Sequence, residues 1–261
     1  MKTLSQYIQA GQLTSALAFL KEKIKVSPKD LTLRSLLVEL LCVQGEYERA
    51  DQQIETLVVQ NPSFAFSGKQ LRQLIRAAKH RQEVLMQGRL PQWIEKPNAA
   101  INGQVKALTH AIAEKFADAA KEVNKLNKSE SALKGSLNGA PFVGLRDLDD
   151  RTAYVIELLA LNGEYYWVPF NMIKSMVFDA SKELISLIWK PVFVTFNNGL
   201  EQNFYFPATY VNNELNDLQL LGQETVWAER QGFVQGRGQK MFLIGDDAIS
   251  ANEIKTLQLS N

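Results

Sequence analysis

Residues 11–28, GQLTSALAFLKEKIKVSP, and residues 45–62, GEYERADQQIETLVVQNP, repeat one pattern of residue types. Four positions keep their residue class 34 positions apart: Gly11 and Gly45, Ala16 and Ala50, Leu20 and Ile54, and Pro28 and Pro62. The glycines suit a tight turn between two helices, the alanines let the second helix pack closely, and the prolines end the unit. Each segment therefore predicts the turn and the second helix of a helical hairpin.

The period of 34 residues is that of the tetratricopeptide repeat, a unit made of a helix, a turn and a second helix. In the segment before Gly45, the leucines lie on one stripe of a helix, with Asp30 in the N-cap position. This stripe consists of Leu33, Leu36, Leu37, Leu40 and Leu41. Because one unit cannot bury its own apolar face, stacked copies must share a core. We therefore expect residues 1–130 to form one tetratricopeptide-like α-helical repeat domain.

The remainder of this half continues the helical pattern with less regular spacing. Residues 64–88 predict one long helix, which ends before the two prolines of residues 91–98. A degenerate third copy of the repeat is predicted over residues 114–131, where Glu114 takes the place of the turn glycine. The expected domain thus contains two regular repeats, a long helix and one degenerate repeat.

Beyond this half, the sequence changes to short β-prone runs. Residues 128–141, KSESALKGSLNGAP, are rich in Ser, Gly and Asn, and we interpret them as a boundary between two domains. Eight candidate strands follow, separated by turn residues: 153–161, 164–168, 173–178, 191–196, 202–206, 224–228, 239–244 and 254–259. Residues 179–188 predict a short helix or a loop, and residues 236–238 a β-turn. The expected fold class is therefore α+β, in which the helical domain is followed by a mostly antiparallel β-rich domain over residues 131–261.

Residues 161–170, LNGEYYWVPF, predict a β-hairpin. The dipeptide Asn162-Gly163 is a strong signal for a two-residue turn with positive φ at both positions. Such a turn fixes the register and places Leu159 opposite Tyr166.

The register sorts the side chains of this hairpin into two faces with period two. One face carries no charge and consists of Tyr154, Ile156, Leu158, Ala160, Tyr165, Trp167 and Pro169. We therefore expect Tyr165 and Trp167 to lie in the core. The opposite face mixes two glutamates with apolar groups, and we expect part of it to contact the helical domain or a partner. The candidates for this contact are Leu159, Leu161 and Tyr166.

Composition limits the class of protein. The chain has 261 residues, with 29 Lys plus Arg and 28 Asp plus Glu; its net charge of +1 argues against binding of nucleic acid or an anionic membrane by the chain as a whole. No apolar run approaches the ~20 residues of a membrane span, and the start, MKTLSQYIQAGQL, lacks the apolar core of a signal peptide. The one cysteine, Cys42, excludes an intramolecular disulfide. We therefore expect a cytoplasmic protein without a membrane partner.

No residue pattern in the sequence indicates a catalytic group, a cofactor or a metal centre. His80 and His110 lie in predicted helices without Cys or acidic neighbours at ligand spacing, and Cys42 lies in the leucine-rich stripe. The acidic segment RDLDDR, residues 146–151, lacks EF-hand spacing and leaves two interpretations, a turn leading into the first predicted strand or a hard-cation site. An enzyme of unknown class is an alternative function, with an interdomain site near three aspartates: Asp147, Asp149 and Asp150.

Four basic residues recur every three or four positions along the predicted helix 64–88: Lys69, Arg72, Arg76 and Lys79. One interpretation is a docking surface for an acidic partner or a phosphate backbone, and the other is a solvated helix face. No aromatic residues alternate with these cations, which argues against binding of single-stranded nucleic acid. A nucleic-acid-binding helical repeat protein remains an alternative function.

Several segments in a fixed order carry a resemblance to a known family. They are SLNGAPFVGLRDLDDR at 136–151, NGEYYWVPF at 162–170, WKP at 189–191, PATY at 207–210 and GQKMFL at 238–243. Together with the N-terminal repeat they resemble the ImpE family, also called SciE or TagJ, over nearly the whole chain. The sequence departs from the family pattern at Gly144, where a bulky aromatic residue is expected after Pro-Phe.

The resemblance implies an interaction role. Members of this family are accessory proteins encoded with bacterial type VI secretion systems. Some bind the small contractile-sheath subunit through a short N-terminal helix of that subunit, and they modulate sheath assembly or its recycling by an AAA+ ATPase. The family is not known for catalysis. The resemblance therefore implies a non-catalytic, cytoplasmic adaptor with a protein partner and without a cofactor.

Overall fold

The structure, a computed structural model, describes residues 2–130, 133–181 and 183–260. Its first half is built of seven helices: α1 (Leu4–Gln9), α2 (Leu13–Val26), α3 (Leu31–Val43), α4 (Tyr47–Gln60), α5 (Ala65–Gln87), α6 (Ala99–Ile112) and α7 (Phe116–Glu130). The predicted repeats are confirmed as the hairpins α1–α2 and α3–α4, and α5 is the predicted long helix. Within the described ranges, none of the helices has the length and apolar composition of a membrane span.

Each helical hairpin turns through one residue with left-handed backbone conformation. In the two regular repeats this residue is Gly11, with φ of 67°, and Gly45, with φ of 78°. In the third hairpin, α6–α7, Glu114 takes the same role with φ of 58°. A glycine adopts this conformation without a steric penalty, whereas a glutamate does not. The third copy thus keeps the repeat geometry although it lacks the glycine.

The second half contains thirteen strands in the described ranges: β1 (Lys134–Leu137), β2 (Ala140–Val143), β3 (Leu145–Asp147), β4 (Val155–Leu159), β5 (Tyr165–Pro169), β6 (Ile173–Phe178), β7 (Trp189–Phe196), β8 (Glu201–Pro207), β9 (Thr225–Arg230), β10 (Phe233–Gly238), β11 (Met241–Ile244), β12 (Asp247–Ser250) and β13 (Thr256–Ser260). Eight form one sheet in the order β2-β1-β13-β6-β7-β8-β4-β5, and the other sheets are β10-β9 and β12-β11-β3. All pairings between these strands are antiparallel, so the predicted α+β fold class is confirmed.

Helical turns interrupt the second half at three places, and the first is a 3-10 turn at Phe170–Met172. Residues 179–188 include a 3-10 turn, Leu184–Leu187, while Lys182 lies outside the described residues. A short helix, α8 (Asp217–Leu220), follows β8 and packs on α2, where its Asp217 carboxylate accepts from the backbone N–H of Thr14 at 2.9 Å. An acceptor at this point satisfies one of the free N–H groups of the first turn of α2.

Some segments are strands where the sequence predicts none. The predicted boundary, residues 128–141, contains β1 and β2, which are joined by a two-residue turn at Asn138 (φ 50°) and Gly139 (φ 88°). Residues 236–238 lie within β10 and do not form the predicted β-turn. Both segments are short and polar or glycine-rich, so they lack the alternation that identifies a strand. Residues 131–132, where the boundary between the domains is predicted, lie outside the described residues.

The β4–β5 hairpin turns through three residues ending at Gly163, and not through the two predicted. Gly163 has a φ of 87°, whereas Asn162 is outside the left-handed region. Leu159 therefore lies opposite Tyr165, and its predicted pairing with Tyr166 is wrong by one residue.

This shift regroups the side chains of the hairpin. Glu157 lies opposite Trp167, so the face that holds Tyr165 and Trp167 carries a charge that the predicted register placed on the other face. All five residues of β4 are buried, because both faces of the strand are covered. Tyr165 and Trp167, only 0% and 1% exposed, are confirmed as core residues.

Two apolar clusters lie on opposite faces of this hairpin. One joins the leucines of α2, α3 and α5 to the side chains of Val155, Leu159 and Trp167. The other joins alanines of α6 and α7 to Ile156 and to further apolar residues of the β-rich half. Each cluster crosses from the helical half to the β-rich half, so the two halves pack through shared cores. The division into two domains near residue 130 stays a prediction.

Candidate functional site

Buried charged side chains connect α5 to the sheet. Arg81 of α5 donates from Nε to Oε1 of Glu157 on β4 at 2.6 Å, and from Nη2 to Oε2 at 3.2 Å. The Lys240 ammonium lies 2.7 Å from Oε2 of Glu157 and also pairs with the carboxylate of Asp147. Each of these residues is at most 5% exposed. Because a buried charge is tolerated only when it is paired, these contacts fix how α5 sits on the sheet.

Two further pairs extend the set. The Arg151 guanidinium lies 2.6 Å from the Asp149 carboxylate, and that of Arg146 lies 2.5 Å from the Asp150 carboxylate. The same two aspartates accept backbone N–H groups of β10 at 2.9 and 2.7 Å. We call the whole set the ionic network; it consists of Arg81, Arg146, Arg151, Lys240, Asp147, Asp149, Asp150 and Glu157.

The ionic network decides between the two interpretations of residues 146–151. These residues form the end of β3 and the turn that leads toward β4, as the first interpretation predicts. The second interpretation, a hard-cation site, does not fit, because Lys240 and arginine side chains already pair with the carboxylates that would bind the cation. In the described ranges, no group of three or more His, Cys, Asp or Glu side chains is arranged to hold a metal ion.

Aromatic hydroxyl and indole groups complete the hydrogen bonding of the ionic network. The Tyr165 hydroxyl donates to Oε1 of Glu157 at 2.5 Å and accepts from Nε1 of Trp167 at 2.5 Å. The Tyr210 hydroxyl donates to Oδ1 of Asp147 at 2.7 Å. The two rings of LNGEYYWVPF that point toward the helices therefore orient a buried glutamate as well as filling space.

The environment holds Glu157, Lys240 and Tyr165 in fixed charge states. Burial opposes ionisation of Glu157, but Arg81 and Lys240 outweigh it and keep the pKa of that carboxyl well below its usual range. Burial likewise opposes the charge of Lys240, and its carboxylate partners reverse the effect and raise its pKa. Burial, reinforced by the adjacent Glu157, raises the pKa of Tyr165 well above its usual value. A general acid or base needs a pKa near the working pH, and these groups have been moved away from it.

The sequence contained a signal for the centre of this network that the prediction did not use. Glu157 is the lone charged residue of the apolar run VIELL, and Lys240 directly precedes the apolar run MFLI. A single charge inside a strand that is buried on both faces requires an opposite charge nearby. The partners could not be named from the sequence, because Arg81 and Lys240 are far from Glu157 along the chain.

The three apolar candidates for partner contact have different environments. Leu159 is fully buried in the apolar cluster that it shares with the helical half, which is one of its two predicted contacts. Both faces of β4 are covered, so this side chain is not exposed to a partner. Leu161 is partly buried against the same cluster, which is the same predicted contact. Tyr166 is partly buried, packs edge-on against Phe204 and accepts at its hydroxyl from Asn162 Nδ2 at 3.0 Å.

The four basic candidates lie along α5, and two of them are neutralised by α4. Arg72 donates from Nε to Asp51 at 2.6 Å, and the Lys79 ammonium lies 2.5 Å from the Glu48 carboxylate. Lys69 and Arg76 are exposed. The tip of the β4–β5 hairpin lies against Arg76, because a Cβ built on Gly163 would be 2.8 Å from Arg76 Cδ. The structure therefore brings Arg76 and the hairpin together, but leaves the stripe with fewer free charges than the sequence suggests.

The histidines and the cysteine do not form a site. His80 is buried, with Nε2 at 3.0 Å from the carbonyl oxygen of Leu90. Cys42 is buried in the helical core, and burial raises the pKa of its thiol well above the usual value. A thiol that stays protonated is a poor nucleophile, so Cys42 packs as a small apolar side chain.

An open groove of about 600 Å³ lies on the repeat half, between α2, α3 and α4. Its apolar floor includes Leu17, Ala18 and Leu37, and its rim carries charges of both signs. The charged rim residues are Lys21, Glu22, Lys25, Arg34 and Glu46. An apolar floor with a charged rim is the type of surface on which helical repeats bind amphipathic helices. Of these residues, the repeat pattern indicates Leu37 alone, as a packing position of the leucine stripe. Repeat patterns identify packing positions and not the surface left open between helices.

Comparison with known proteins agrees with this architecture. Residues 139–258 match the family model of the ImpE protein, and residues 7–75 match a tetratricopeptide repeat model. The type VI secretion system accessory component TagJ of Pseudomonas aeruginosa is 29% identical over 252 aligned residues, which cover 91% of this chain and 84% of that protein. The crystal structure of protein VPA1032 from Vibrio parahaemolyticus has a TM-score of 0.91 at 29% identity and covers 100% of this chain and 98% of that one. The resemblance predicted from the sequence segments is therefore confirmed.

Proposed function

The chain carries an ImpE-family domain behind a tetratricopeptide repeat, and from this premise we propose that it is a cytoplasmic, non-catalytic accessory protein of a bacterial type VI secretion system. In this role it binds a short helix of the small contractile-sheath subunit and modulates assembly or recycling of the sheath. The observation that carries the proposal is the similarity to an accessory component of this system over 91% of the chain.

The ionic network supports the non-catalytic part of the proposal. Its four carboxylates all have cationic partners, which suits a structural role. An enzyme that uses an acid or a base from this region would need a carboxylate whose pKa lies near the working pH. Glu157, at the centre of the network, is held far from that condition.

The groove between α2, α3 and α4 is the surface that we propose for the sheath helix. Its floor accepts apolar side chains spaced as on one face of a helix, and its rim can pair with charges of either sign. Ala18 is exposed at the floor, so a larger side chain there would fill the groove without disturbing the packed core.

The test is calorimetry with the purified small sheath subunit, with and without its N-terminal helix. We expect binding that requires this helix. Ala18→Arg should abolish it, while Ser15→Arg should not, because Ser15 is an exposed residue of the same helix that does not line the groove. If the Ala18→Arg variant still binds the subunit, the groove is not the binding surface. If the wild-type protein does not bind the intact subunit, the proposed partner is wrong.

A further inference from the structure

A second cleft, of about 290 Å³, lies between the ends of α5 and α6 and the β9–β10 hairpin. Its helical wall is apolar and includes Leu85, Leu108 and Ile112. Its opposite wall is polar and includes Arg230 and Arg237. At ~30 Å³ per water the space corresponds to about ten water molecules, which is room for one or two side chains and not for a whole helix.

The strand register explains why the two arginines share this cleft. On β10, alternate residues from Phe233 to Arg237 point to the same face. On β9, Arg230 lies directly opposite Phe233 and therefore projects to that face as well. Phe233 packs against Phe116 of α7, with ring centroids 6.3 Å apart, and so turns this face toward the helices.

These two arginines differ from the arginines of the ionic network. Within the described ranges, Arg237 makes no hydrogen bond or ion pair through its guanidinium, and its Nε is enclosed without an acceptor. The Arg230 guanidinium lies 5.1 Å from the Phe116 ring centroid and has no carboxylate partner among those residues. Glu114, an acidic residue in the lining, pairs with neither. An enclosed donor without an acceptor lowers stability, so this face carries positive charge that the fold itself does not use.

We propose that this cleft binds the carboxylate of an acidic side chain from an amphipathic segment of a protein partner. A guanidinium offers parallel N–H donors that match a carboxylate, and Arg230 and Arg237 both line this cleft. The apolar wall receives an aliphatic side chain of the same segment. This inference rests on the proposed function in one respect, namely that the partner is a protein. Two unpaired arginines are too few for a nucleic-acid backbone, whose binding depends on many phosphate contacts.

The test uses the full-length protein and a fluorescein-labelled peptide of alternating leucine and glutamate, with anisotropy as the readout. We expect the peptide to bind, and the same peptide with glutamine in place of glutamate to bind about tenfold more weakly, a loss of about 1.4 kcal/mol. Inorganic phosphate is the competing probe. Binding of phosphate without binding of the peptide would overturn the inference, as would equal binding of the two peptides.

Variants locate the binding. Arg237→Gln should weaken binding of the glutamate peptide about tenfold and leave the melting temperature unchanged or higher, since an unsatisfied donor is removed. Arg230→Gln, at an exposed position, tests the same cleft if the first variant does not fold. Lys174→Gln is the matched control, because it removes an equal charge from an exposed position of β6, outside the cleft lining. Equal losses in control and cleft variants would show non-specific attraction and overturn the inference.

The outcome is separable from that of the proposed function. If the sheath subunit binds but the acidic peptide does not, the cleft inference fails and the proposed function stands. If the acidic peptide binds through Arg237 but no sheath subunit does, the cleft is an acidic-peptide site and the proposed partner is wrong.

Discussion

The interior of the helical repeats and the ionic network are both buried, but different interactions stabilise them. The interior of the repeats is apolar, with Leu13, Leu20, Leu40 and Ile54 each 0% exposed. Burial of such side chains stabilises a fold by about 25 cal/mol per Å² of apolar surface. A buried ion pair contributes little net stability compared with an apolar replacement, but it becomes costly when one partner is missing. The repeats therefore supply stability. The network makes any other position of α5 on the sheet unfavourable, because such a position would leave a buried charge unpaired.

The largest expected effect is at Trp167, which connects the two regions. Its ring fills the apolar cluster next to α5, and its Nε1 donates to the Tyr165 hydroxyl that binds Glu157. Trp167→Ala should lower the free energy of unfolding by about 3–5 kcal/mol. Trp167→Phe is the control that keeps most of the ring volume and removes the Nε1–H donor. Its free energy of unfolding should fall by clearly less than that of Trp167→Ala. Chemical denaturation measures both; retained stability in the alanine variant would contradict the core assignment.

Next is Lys240, which belongs to the network alone. Lys240→Met removes the cation between Asp147 and Glu157 while keeping a chain of similar length. We expect unfolding to become easier by about 3 kcal/mol or more, because one carboxylate is left buried without compensation. A loss below about 1 kcal/mol would mean that the network is not fully desolvated, and the contrast between the two regions would fail.

The same variant should respond to pH in a defined direction. Burial raises the pKa of Asp147 even with Lys240 present, and loss of Lys240 removes the opposing effect. A carboxyl whose folded pKa is raised costs stability above that pKa, and the cost disappears as the pH falls toward the unfolded value near 4. The gap in stability between wild type and Lys240→Met should therefore narrow between neutral pH and about pH 4–5, by about 1.4 kcal/mol for each unit by which the pKa of Asp147 rises on loss of Lys240. A gap that widens over this range would show that the remaining carboxylates stay ionised.

The sequence predicted the repeats well and the network poorly, for one physical reason. Gly11, Gly45 and the leucine stripe report local geometry, since a turn and a helix face involve residues close in sequence. The pairing of Arg81 with Glu157 joins residues 76 positions apart, and that of Lys240 with Asp147 joins residues 93 apart. Local periodicity contains no information on such partners.

Asparagine–glycine turns show the same limit at smaller scale. The dipeptide forms a two-residue turn at Asn138-Gly139, whose glycine has no neighbour within 4 Å for a built Cβ. At Asn162-Gly163 it ends a three-residue turn that lies against α5. The dipeptide predicts a turn in both places. At the second, the turn contacts α5 and the register of the paired strands is shifted by one residue. A shift of one residue moves every side chain of a strand to the opposite face of the sheet.

The two glycines therefore form a matched pair of tests. Gly139 and Gly163 have φ of 88° and 87°, so replacement by alanine costs each the same backbone strain, about 1 kcal/mol. At Gly163 the new methyl would also lie 2.4 Å from Oε1 of Gln73 and 2.8 Å from Cδ of Arg76. We expect Gly163→Ala to be more destabilising than Gly139→Ala by about 1 kcal/mol in thermal or chemical unfolding. Equal losses would show that the hairpin tip does not press on α5.

The smallest expected effect is at Lys79, which pairs with Glu48 on the surface of the repeats and lowers the pKa of that carboxyl. Both side chains are well exposed, so Lys79→Met should change the free energy of unfolding by about 0.5 kcal/mol or less. In ~1 M salt, where the screening length is about 3 Å, this difference should vanish. The effect of Lys240→Met should persist in the same salt, because ions do not reach a network that is almost completely buried. Since both variants remove one lysine charge from an ion pair, a loss of the Lys240→Met effect in salt would place the network in contact with solvent and erase its difference from a surface pair.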